Sequence, residues 1–257
     1  RHVPLAPVGE RPSELAEQLR ASQAPGPHFE AELIGTGALA RAISTRVFAF
    51  YLPQFHPFEE NDRWWGPGFT EWTNVTRALP RFKGHHQPQL PRDLGYYDLR
   101  NIETMRRQVD MARRSGVAGF CFYYYWFDGK RLLDAPVEQF LSTPDIDFPF
   151  CLMWANENWT RRWDGLESDI LMQQRYREDD DDALIADFAR HFPDPRYERI
   201  DGRPLLFVYR PGIIPDARRR IARWREISRD RHGVEPLMMM AQCFDDDDPR
   251  PFGLDGA

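Results

Sequence analysis

The sequence has no apolar run of about eighteen residues, no stripe of basic residues and only 3 cysteines among 257 residues. No transmembrane helix is therefore expected, and the N-terminus carries no secretory signal pattern. Acidic and basic residues are mixed along the chain and the net charge is -6, which argues against nucleic acid as a partner. The odd number of cysteines, with Cys121, Cys151 and Cys243 each in or beside an apolar run, predicts buried reduced thiols and a cytoplasmic protein.

Signatures of bound cofactors are also missing. The first apolar run is not followed by a glycine-rich turn, so there is no dinucleotide fingerprint. His85 and His86 are adjacent, without the helical spacing and the third ligand of a zinc site. The acidic run at 245–248 has two interpretations: a solvated loop, or a divalent-ion element of a nucleotide-sugar transferase. We expect no cofactor and no metal.

Strand-like and helix-like segments alternate from residue 47 onward. Apolar runs of strand length lie at 47–52, 117–125, 148–155, 205–209 and 236–242. Segments with helical spacing lie at 101–114, 134–141, 183–190 and 215–231. Such alternation predicts a parallel sheet, and runs that are apolar throughout predict strands covered on both faces.

A closed eightfold barrel and an open doubly wound sheet both fit this alternation. Two features favour a (β/α)8 TIM-type barrel: the missing phosphate turn, and the polar or aromatic residues that follow the C-terminal end of every predicted strand. Only five strands are visible, so we expect a barrel that is truncated at the C-terminus or that closes in another way.

The chain before and after the first strand differs in character. Residues 1–44 are rich in Pro, Ala and Gly and are predicted to be a linker with one short helix, capped by Ser13, arriving from a preceding region. Residues 45–257 are predicted to be the barrel domain. Because the sequence begins with Arg1 rather than Met, we expect it to be part of a larger multidomain chain. Residues 53–98 are predicted to be a long, functional, aromatic loop.

The densest group of polar and aromatic residues follows the third predicted strand. Asn156, Glu157 and Asn158 come directly after the apolar run, and Trp159 and Arg161 follow them. Barrel enzymes present catalytic groups at this end of their strands. A core strand followed by an ordinary polar loop is the alternative. The total of 8 Trp, 9 Tyr and 18 Phe, many of them between strands, predicts planar or ring-shaped ligands.

Five segments of the sequence resemble the WbsX-like proteins, a family of bacterial polysaccharide-biosynthesis proteins related in fold to glycoside hydrolase family 99. The segments are FYLPQFH at 50–56, WWG at 64–66, GFTEWTN at 68–74, GFCFYYYWF at 119–127 and WANENWTRRW at 154–163. The resemblance runs from about Thr45 to the end. It implies a (β/α)8 barrel and a role in assembling lipopolysaccharide O-antigen or another surface glycan, with a glycan or glycoconjugate as substrate.

The resemblance also implies a chemistry. Glycoside hydrolase family 99 contains retaining endo-α-mannosidases, thought to use the sugar's own 2-hydroxyl together with two glutamates. Only Glu157 is carried over to this sequence, and the second glutamate has no clear counterpart near it. Glu157 is therefore expected to act as acid or base, because breaking or making a glycosidic bond needs both functions.

Other residues are candidates for the rest of such a site. The candidates for the second carboxylate are Glu71, Asp128 and Asp164, each of which could instead form an ion pair or shape a loop. The expected sugar-stacking residues are Trp64, Trp65, Trp72, Tyr125, Trp126 and Trp159, with packing of the long loop as the alternative for about half of them. The expected polar contacts to substrate come from Gln54, His56, Asn156, Asn158 and Arg161, the last of which could instead form an ordinary structural salt bridge with one of the candidate carboxylates.

The sequence leaves three functions open. The leading hypothesis is a carbohydrate-active enzyme, a hydrolase or transglycosylase with Glu157 as acid/base, that acts on glycosidic bonds of a bacterial surface polysaccharide. The first alternative is a sugar-nucleotide-dependent glycosyltransferase. The second is a non-catalytic glycan-binding module of a larger synthase.

Overall fold

The computed structural model describes residues 13–26, 29, 45–161 and 166–257, without the side chains of residues 22, 23, 161 and 166–168. The chain divides into two compact units. One comprises Arg1–Arg41 and Phe55–Tyr97, and the other comprises Ala42–Gln54 and Asp98–Ala257. The predicted domain boundary near residue 44 stays a prediction.

The described residues form helices and strands in alternation. The strands are β1 (Phe48–Tyr51), β2 (Gly119–Phe127), β3 (Lys130–Leu132), β4 (Phe150–Trp154), β5 (Trp159–Arg161), β6 (Leu166–Met172), β7 (Arg199–Ile200), β8 (Arg203–Val208) and β9 (Leu237–Met240). The helices are α1 (Glu14–Gln23), α2 (Glu59–Trp65), α3 (Glu71–Arg77), α4 (Ile102–Arg114), α5 (Ala135–Leu141), α6 (Asp181–Ala189) and α7 (Ala217–His232).

The second unit is built on a parallel sheet in which β1, β2, β4, β8 and β9 are neighbours in the order in which they occur along the chain. An open doubly wound sheet reverses its strand order at a switch point, whereas a β/α barrel keeps the chain order. Gly256 also pairs in parallel with Met239, beside β9. The chain therefore has the α/β barrel-type fold that the sequence predicted.

Helices cover one face of this sheet. On β2, Phe122 packs against Phe140 of α5 with ring centroids 5.5 Å apart. On β4, Trp154 packs against Trp224 of α7 at 5.5 Å. All residues of β4 are buried, as its unbroken apolar sequence predicted. The opposite face of β2 carries Tyr123 and Tyr125, because side chains alternate along a strand.

The helices begin and end where capping chemistry allows. The Asn101 side chain accepts a hydrogen bond from the Glu103 amide at 3.1 Å and so caps α4. Ser13 caps α1 in the predicted way, accepting from the Ala16 amide at 3.3 Å. Helix α7 ends at Gly233, whose φ of 66° is readily adopted only without a side chain.

Two expectations about regular structure need correction. Residues 53–98 are not a continuous loop, because α2 and α3 form within them. The Thr70 side chain takes part in a capping box that starts α3, and acidic residues in the first turn of α2 suit the positive end of the helix dipole. Short antiparallel additions were also missed: β3 pairs with β2, β7 pairs with β8, and β5 forms a hairpin with β6.

Candidate functional site

The carboxyl ends of the parallel strands bring together a set of polar and aromatic side chains in the second unit. These residues are Gln54 after β1, Tyr123 and Tyr125 in β2, Asn156 and Glu157 after β4, Tyr209 and Arg210 after β8, and Phe244 after β9. Parallel neighbouring strands end at the same edge, so residues distant in sequence become adjacent there. Their contacts define the candidate site.

Glu157 forms an ion pair with Arg210 at this edge. Arg210 Nη1 donates to Glu157 Oε1 at 2.7 Å, and both side chains keep about 30% of their surface exposed (32% for Glu157 and 28% for Arg210). The Arg210 guanidinium also lies over the Phe244 ring, 3.9 Å from its centroid. In the described part of the chain, Glu157 Oε2 accepts no hydrogen bond. Among the described residues, the carboxylate is therefore oriented through Oε1 alone.

Asn156 is fully buried, and its side chain bonds to the protein rather than to solvent. Its Oδ1 accepts from the Arg210 backbone amide at 2.8 Å, and its Nδ2 donates to the Arg210 carbonyl at 2.8 Å. Nδ2 also donates to the Tyr176 hydroxyl at 3.1 Å. The predicted role of Asn156 as a direct substrate contact conflicts with this burial, because its amide has no surface to offer a ligand.

A pair of stacked aromatic rings lies at the same edge. The rings of Tyr125 and Trp159 are 5.2 Å apart with an interplanar angle of 29°. Gln54 Nε2 donates to the Tyr125 hydroxyl at 2.9 Å. Pairing of β5 with β6 sets Trp159 opposite Met172 and so holds the indole in place. The structure thus brings together three residues, Gln54, Tyr125 and Trp159, that the sequence had assigned to substrate binding.

Two further tyrosines belong to this edge and were missed from the sequence. The rings of Tyr123 and Tyr209 are 5.7 Å apart with an interplanar angle of 60°. Burial raises the pKa of Tyr209, and the negative charge of Glu157 raises it further. Burial likewise raises the pKa of Tyr123. Tyr123 lies two positions before Tyr125, and the period-2 alternation of a strand could have identified it.

Trp126 and Asp128 occupy different surroundings. Trp126 is buried on the helix-covered face of β2, and its Nε1 donates to Asp180 Oδ2 at 2.7 Å. This burial argues against the sugar-stacking role predicted for Trp126. Asp128 stands in the turn between β2 and β3 with a φ of 47°, and its Oδ2 pairs with Arg177 Nη1 at 3.4 Å. These contacts match the alternative that Asp128 forms an ion pair, and they do not match the surroundings expected of a catalytic carboxylate.

The residues on either side of Trp159 are described only in part. Asn158 is exposed, and its Oδ1 accepts from the Gln174 amide at 2.7 Å, which ties the strand end to the segment after β6. The side chain of Arg161 and the whole of Arg162 and Asp164 lie outside the described residues. The roles predicted for these three side chains stay predictions.

The first unit holds the remaining aromatic candidates. Trp72 Nε1 donates to the Tyr97 carbonyl at 2.8 Å, and its ring packs against Phe55 at 4.5 Å. Trp65 stacks on Phe69 at 5.6 Å. These contacts fit the alternative that such residues pack the long segment. Trp64 is half-buried.

Two polar candidates in the first unit are buried. His56 is 3% exposed and its ring lies 6.1 Å from that of Phe58. Glu71 is the first residue of α3 and is 8% exposed. Burial raises the pKa of Glu71 to about 7, because the ionised carboxyl loses its hydration. A carboxyl with such a pKa can hold or release a proton near neutral pH, which is what a general acid requires.

Two carboxylates of the acidic run at 245–248 bond to other groups of the protein. Asp246 Oδ2 accepts from the Gly212 amide at 3.0 Å, and Asp248 forms a salt bridge with Arg250 at 2.7 Å. In the described part of the chain, no three His, Cys, Asp or Glu residues are grouped as metal ligands would be. Because Asp246 and Asp248 bond to Gly212 and Arg250, their contacts match those of an ordinary acidic loop; the absence of a metal stays a prediction.

Two other sequence expectations concern the thiols and the membrane. Cys121 and Cys151 are buried on paired strands, as predicted, while Cys243 is half-buried and its Sγ contacts the Tyr209 carbonyl at 3.4 Å. Of the helices in the described ranges, none combines the length and apolar character needed to cross a bilayer. The cytoplasmic location stays a prediction.

Comparison with known proteins gives a family and a fold. A family model described as Glycosyltransferase WbsX matches residues 47–257. Two curated proteins from strains of Xanthomonas campestris pv. campestris, both described as "Uncharacterized protein WxcX", are 51% identical over 222 residues. The match covers 86% of this chain and 32% of each relative, so the chain spans about a third of their length.

Solved structures show a likeness at the level of the fold. The glycoside hydrolase family 99 endo-α-mannosidase from Bacteroides thetaiotaomicron, in complex with bis-tris-propane, superposes with a TM-score of 0.51 at 16% identity. The superposition covers 82% of this chain and 57% of the mannosidase. A second structure of that enzyme gives a TM-score of 0.50. At this identity the likeness concerns the fold alone.

Proposed function

The chain belongs to the family described as glycosyltransferase WbsX, and from this membership we propose that it is a carbohydrate-active domain acting on glycosidic bonds during assembly of a bacterial surface polysaccharide. The observation that carries the proposal is the Glu157–Arg210 ion pair at the strand edge that also bears the Tyr125–Trp159 stack. Barrel enzymes carry their catalytic groups at the carboxyl ends of the strands, and aromatic rings at the same edge can stack against sugar rings.

Glu157 is the proposed acid/base of the reaction. Arg210 occupies Oε1, so Oε2 is the oxygen that would meet a sugar hydroxyl or the glycosidic oxygen. Glycosidic bond chemistry needs one group that gives a proton to the leaving oxygen and one that takes a proton or attacks on the other side. Glu71 is a separate candidate for the proton donor, on the basis of its burial and its raised pKa.

The aromatic residues support the choice of substrate class. The apolar face of a sugar ring stacks on an aromatic ring, and the indole N–H and phenol O–H of Trp159 and Tyr125 can hydrogen-bond to hydroxyl groups. Gln54 and Asn158 add amides that can do the same. The proposed substrate is therefore a glycan or a glycoconjugate of the cell surface, such as lipopolysaccharide O-antigen, processed by this domain within a longer chain.

Transfer from a nucleotide-activated sugar is the second candidate, and the description of the family favours it. The same strand edge would serve, with Glu157 accepting the proton of the attacking hydroxyl. The two candidates differ in the donor, since hydrolysis or transglycosylation consumes a glycan and transfer consumes a nucleoside-diphosphate sugar.

The test incubates the protein with a panel of bacterial surface polysaccharides, and separately with nucleoside-diphosphate sugars and glycan acceptors. New reducing ends that disappear in Glu157→Gln would support hydrolysis, and nucleotide release that disappears in the same variant would support transfer. Glu226→Gln is the matched control, because Glu226 is an exposed residue of α7 remote in sequence from the candidate site. Turnover that survives Glu157→Gln unchanged would refute Glu157 as the acid/base. If no turnover is found with either class of donor while the protein binds glycan and Trp159→Ala abolishes that binding, the domain is a binding module and the enzyme proposal is wrong.

A further inference from the structure

The hydrogen-bond ladder between β4 and β8 continues past its last backbone–backbone bond through the side chain of Asn156. The last ladder bond runs from the Tyr209 amide to the Trp154 carbonyl at 3.1 Å. One residue further along β8, the Arg210 amide and carbonyl both bond to the Asn156 side chain, each at 2.8 Å. Toward Arg210, the carboxamide of Asn156 presents one N–H and one C=O, as a strand residue does. It thus fixes the backbone of Arg210 one residue beyond the last backbone bond of the β4–β8 ladder.

Tyr176 holds the Asn156 carboxamide in this orientation. Its hydroxyl accepts from Asn156 Nδ2 at 3.1 Å and donates to the Asn156 backbone carbonyl at 2.6 Å. Burial raises the pKa of Tyr176 to about 12, so the phenol keeps its proton for this second bond. The Tyr176 carbonyl in turn accepts from Arg220 Nη2 at 3.0 Å, which connects the arrangement to α7.

The arrangement has a direct consequence for the Arg210 side chain. An arginine has four rotatable side-chain bonds, and ordering it costs up to about 2 kcal/mol. The Arg210 guanidinium nevertheless reaches both Glu157 Oε1 and the Phe244 ring from one backbone position. Both contacts depend on where the Arg210 backbone lies, and that is set by Asn156.

We propose that Asn156 and Tyr176 are positioning residues: they fix the backbone of Arg210 so that its guanidinium engages Glu157 Oε1 and thereby orients the carboxylate for substrate. The importance of this for turnover rests on the proposed function of Glu157. The positioning itself is a property of the protein without substrate, so it can be tested independently of any activity.

The proposal explains why asparagine stands at this position. Aspartate has the same shape but no N–H to donate to the Arg210 carbonyl or to the Tyr176 hydroxyl. Alanine removes both partners of the Arg210 backbone. Because Asn156 is fully buried, water cannot replace the lost bonds without opening the strand edge.

The test follows the Arg210 guanidinium by nitrogen NMR of the arginine-labelled protein, with the signals assigned by their loss in Arg210→Lys. A guanidinium held in an ion pair rotates slowly about its Cζ–N bonds. We expect Asn156→Asp and Asn156→Ala to raise this rotation rate by about tenfold or more, the change that corresponds to about 1.4 kcal/mol. Tyr176→Phe keeps both bonds to Arg210 but frees the carboxamide, so its expected effect is smaller and in the same direction.

Two control variants separate positioning from general loss of stability. Asn158→Asp makes the same chemical change two residues along the chain and keeps its Oδ1 acceptor for the Gln174 amide, so the Arg210 signals should stay as in the wild type. Val109→Ala destabilises the core of the unit from α4, where Val109 is buried, and should also leave them unchanged.

Wild-type rotation of the Arg210 guanidinium in folded Asn156→Asp or Asn156→Ala would overturn the proposal. If neither variant folds, Tyr176→Phe decides: faster rotation supports the proposal and unchanged rotation overturns it. The two hypotheses fail separately. Faster rotation in Asn156→Asp with turnover that survives Glu157→Gln would refute the function of Glu157 and leave the positioning intact.

Discussion

Replacing Asp181 by asparagine should strongly destabilise the second unit, because it leaves a charge buried without its partner. Arg220 Nη1 donates to Asp181 Oδ1 at 2.6 Å, and the two side chains are 6% and 4% exposed. The same guanidinium donates to the carbonyls of Arg177 at 3.2 Å and Tyr176 at 3.0 Å. Asparagine keeps the shape of the side chain and removes only its charge.

The expected loss follows from the cost of an unpaired buried ion. Breaking a buried ion pair by neutralising one partner costs about 3–5 kcal/mol, because the remaining charge has lost both hydration and counter-ion. Arg223 also approaches Asp181, at 3.4 Å, but it is 40% exposed and is solvated in the variant. For a unit of this size the loss corresponds to a decrease in Tm on the order of 10 °C.

Urea and thermal unfolding, followed by circular dichroism, measure the loss. Asp110→Asn is the matched control, because Asp110 pairs with Arg114 at 3.0 Å on the exposed surface of α4. That surface pair should contribute less than about 1 kcal/mol. If Asp181→Asn costs no more than Asp110→Asn, the buried pair does not carry the stability assigned to it and the reasoning is refuted.

Three further outcomes are expected. Burial lowers the pKa of His191 from 6.5 to about 4, so as the pH falls the unfolded chain takes up the proton before the folded protein does. The free energy of unfolding should therefore fall by up to about 3 kcal/mol as the pH drops from 6.5 to 4. Urea titrations at each pH measure this dependence, and His191→Gln should lose it. Burial raises the pKa of Glu71 from 4.5 to about 7, so ionisation of Glu71 weakens the folded state as the pH rises through that window. Glu71→Gln should be about 3 kcal/mol more stable than the wild type at pH 8 and equal to it at pH 4, as measured by urea unfolding. Gly119→Ala should cost about 2 kcal/mol in urea unfolding, because its Cβ would lie 2.6 Å from the Pro149 carbonyl oxygen, and a cost near zero would contradict that close approach.

The parallel strands were predictable from the sequence because each is an apolar run of strand length with a helix-like segment before the next. The order of these strands follows the order of the chain, so the barrel-type fold and the common strand edge also followed from local patterns. The boundaries of these strands shifted by one or two residues, as for β2, which begins at Gly119 rather than at residue 117. Helices α2 and α3 were missed because their short sequences, EENDRWW and EWTNVTR, show no clear apolar period.

The sequence alone determined which residues stand near the candidate site, since Glu157, Tyr125 and Trp159 all lie at or just beyond predicted strand ends. It did not determine which way each side chain points or what it contacts. Tyr125 and Trp126 are adjacent in sequence, yet one stacks on Trp159 and the other is buried against Asp180, because successive residues of a strand face opposite sides.

Only the tertiary structure decided the partners of Glu157 and Asn156. Both bond to Arg210, which is more than fifty residues away along the chain (53 from Glu157 and 54 from Asn156). A bond between two strand ends depends on strand register and on backbone positions that no local pattern encodes. For that reason the sequence could place a carboxylate and an amide at the edge of the sheet, whereas the assignment of Glu157 to an ion pair and of Asn156 to the backbone of Arg210 required the fold.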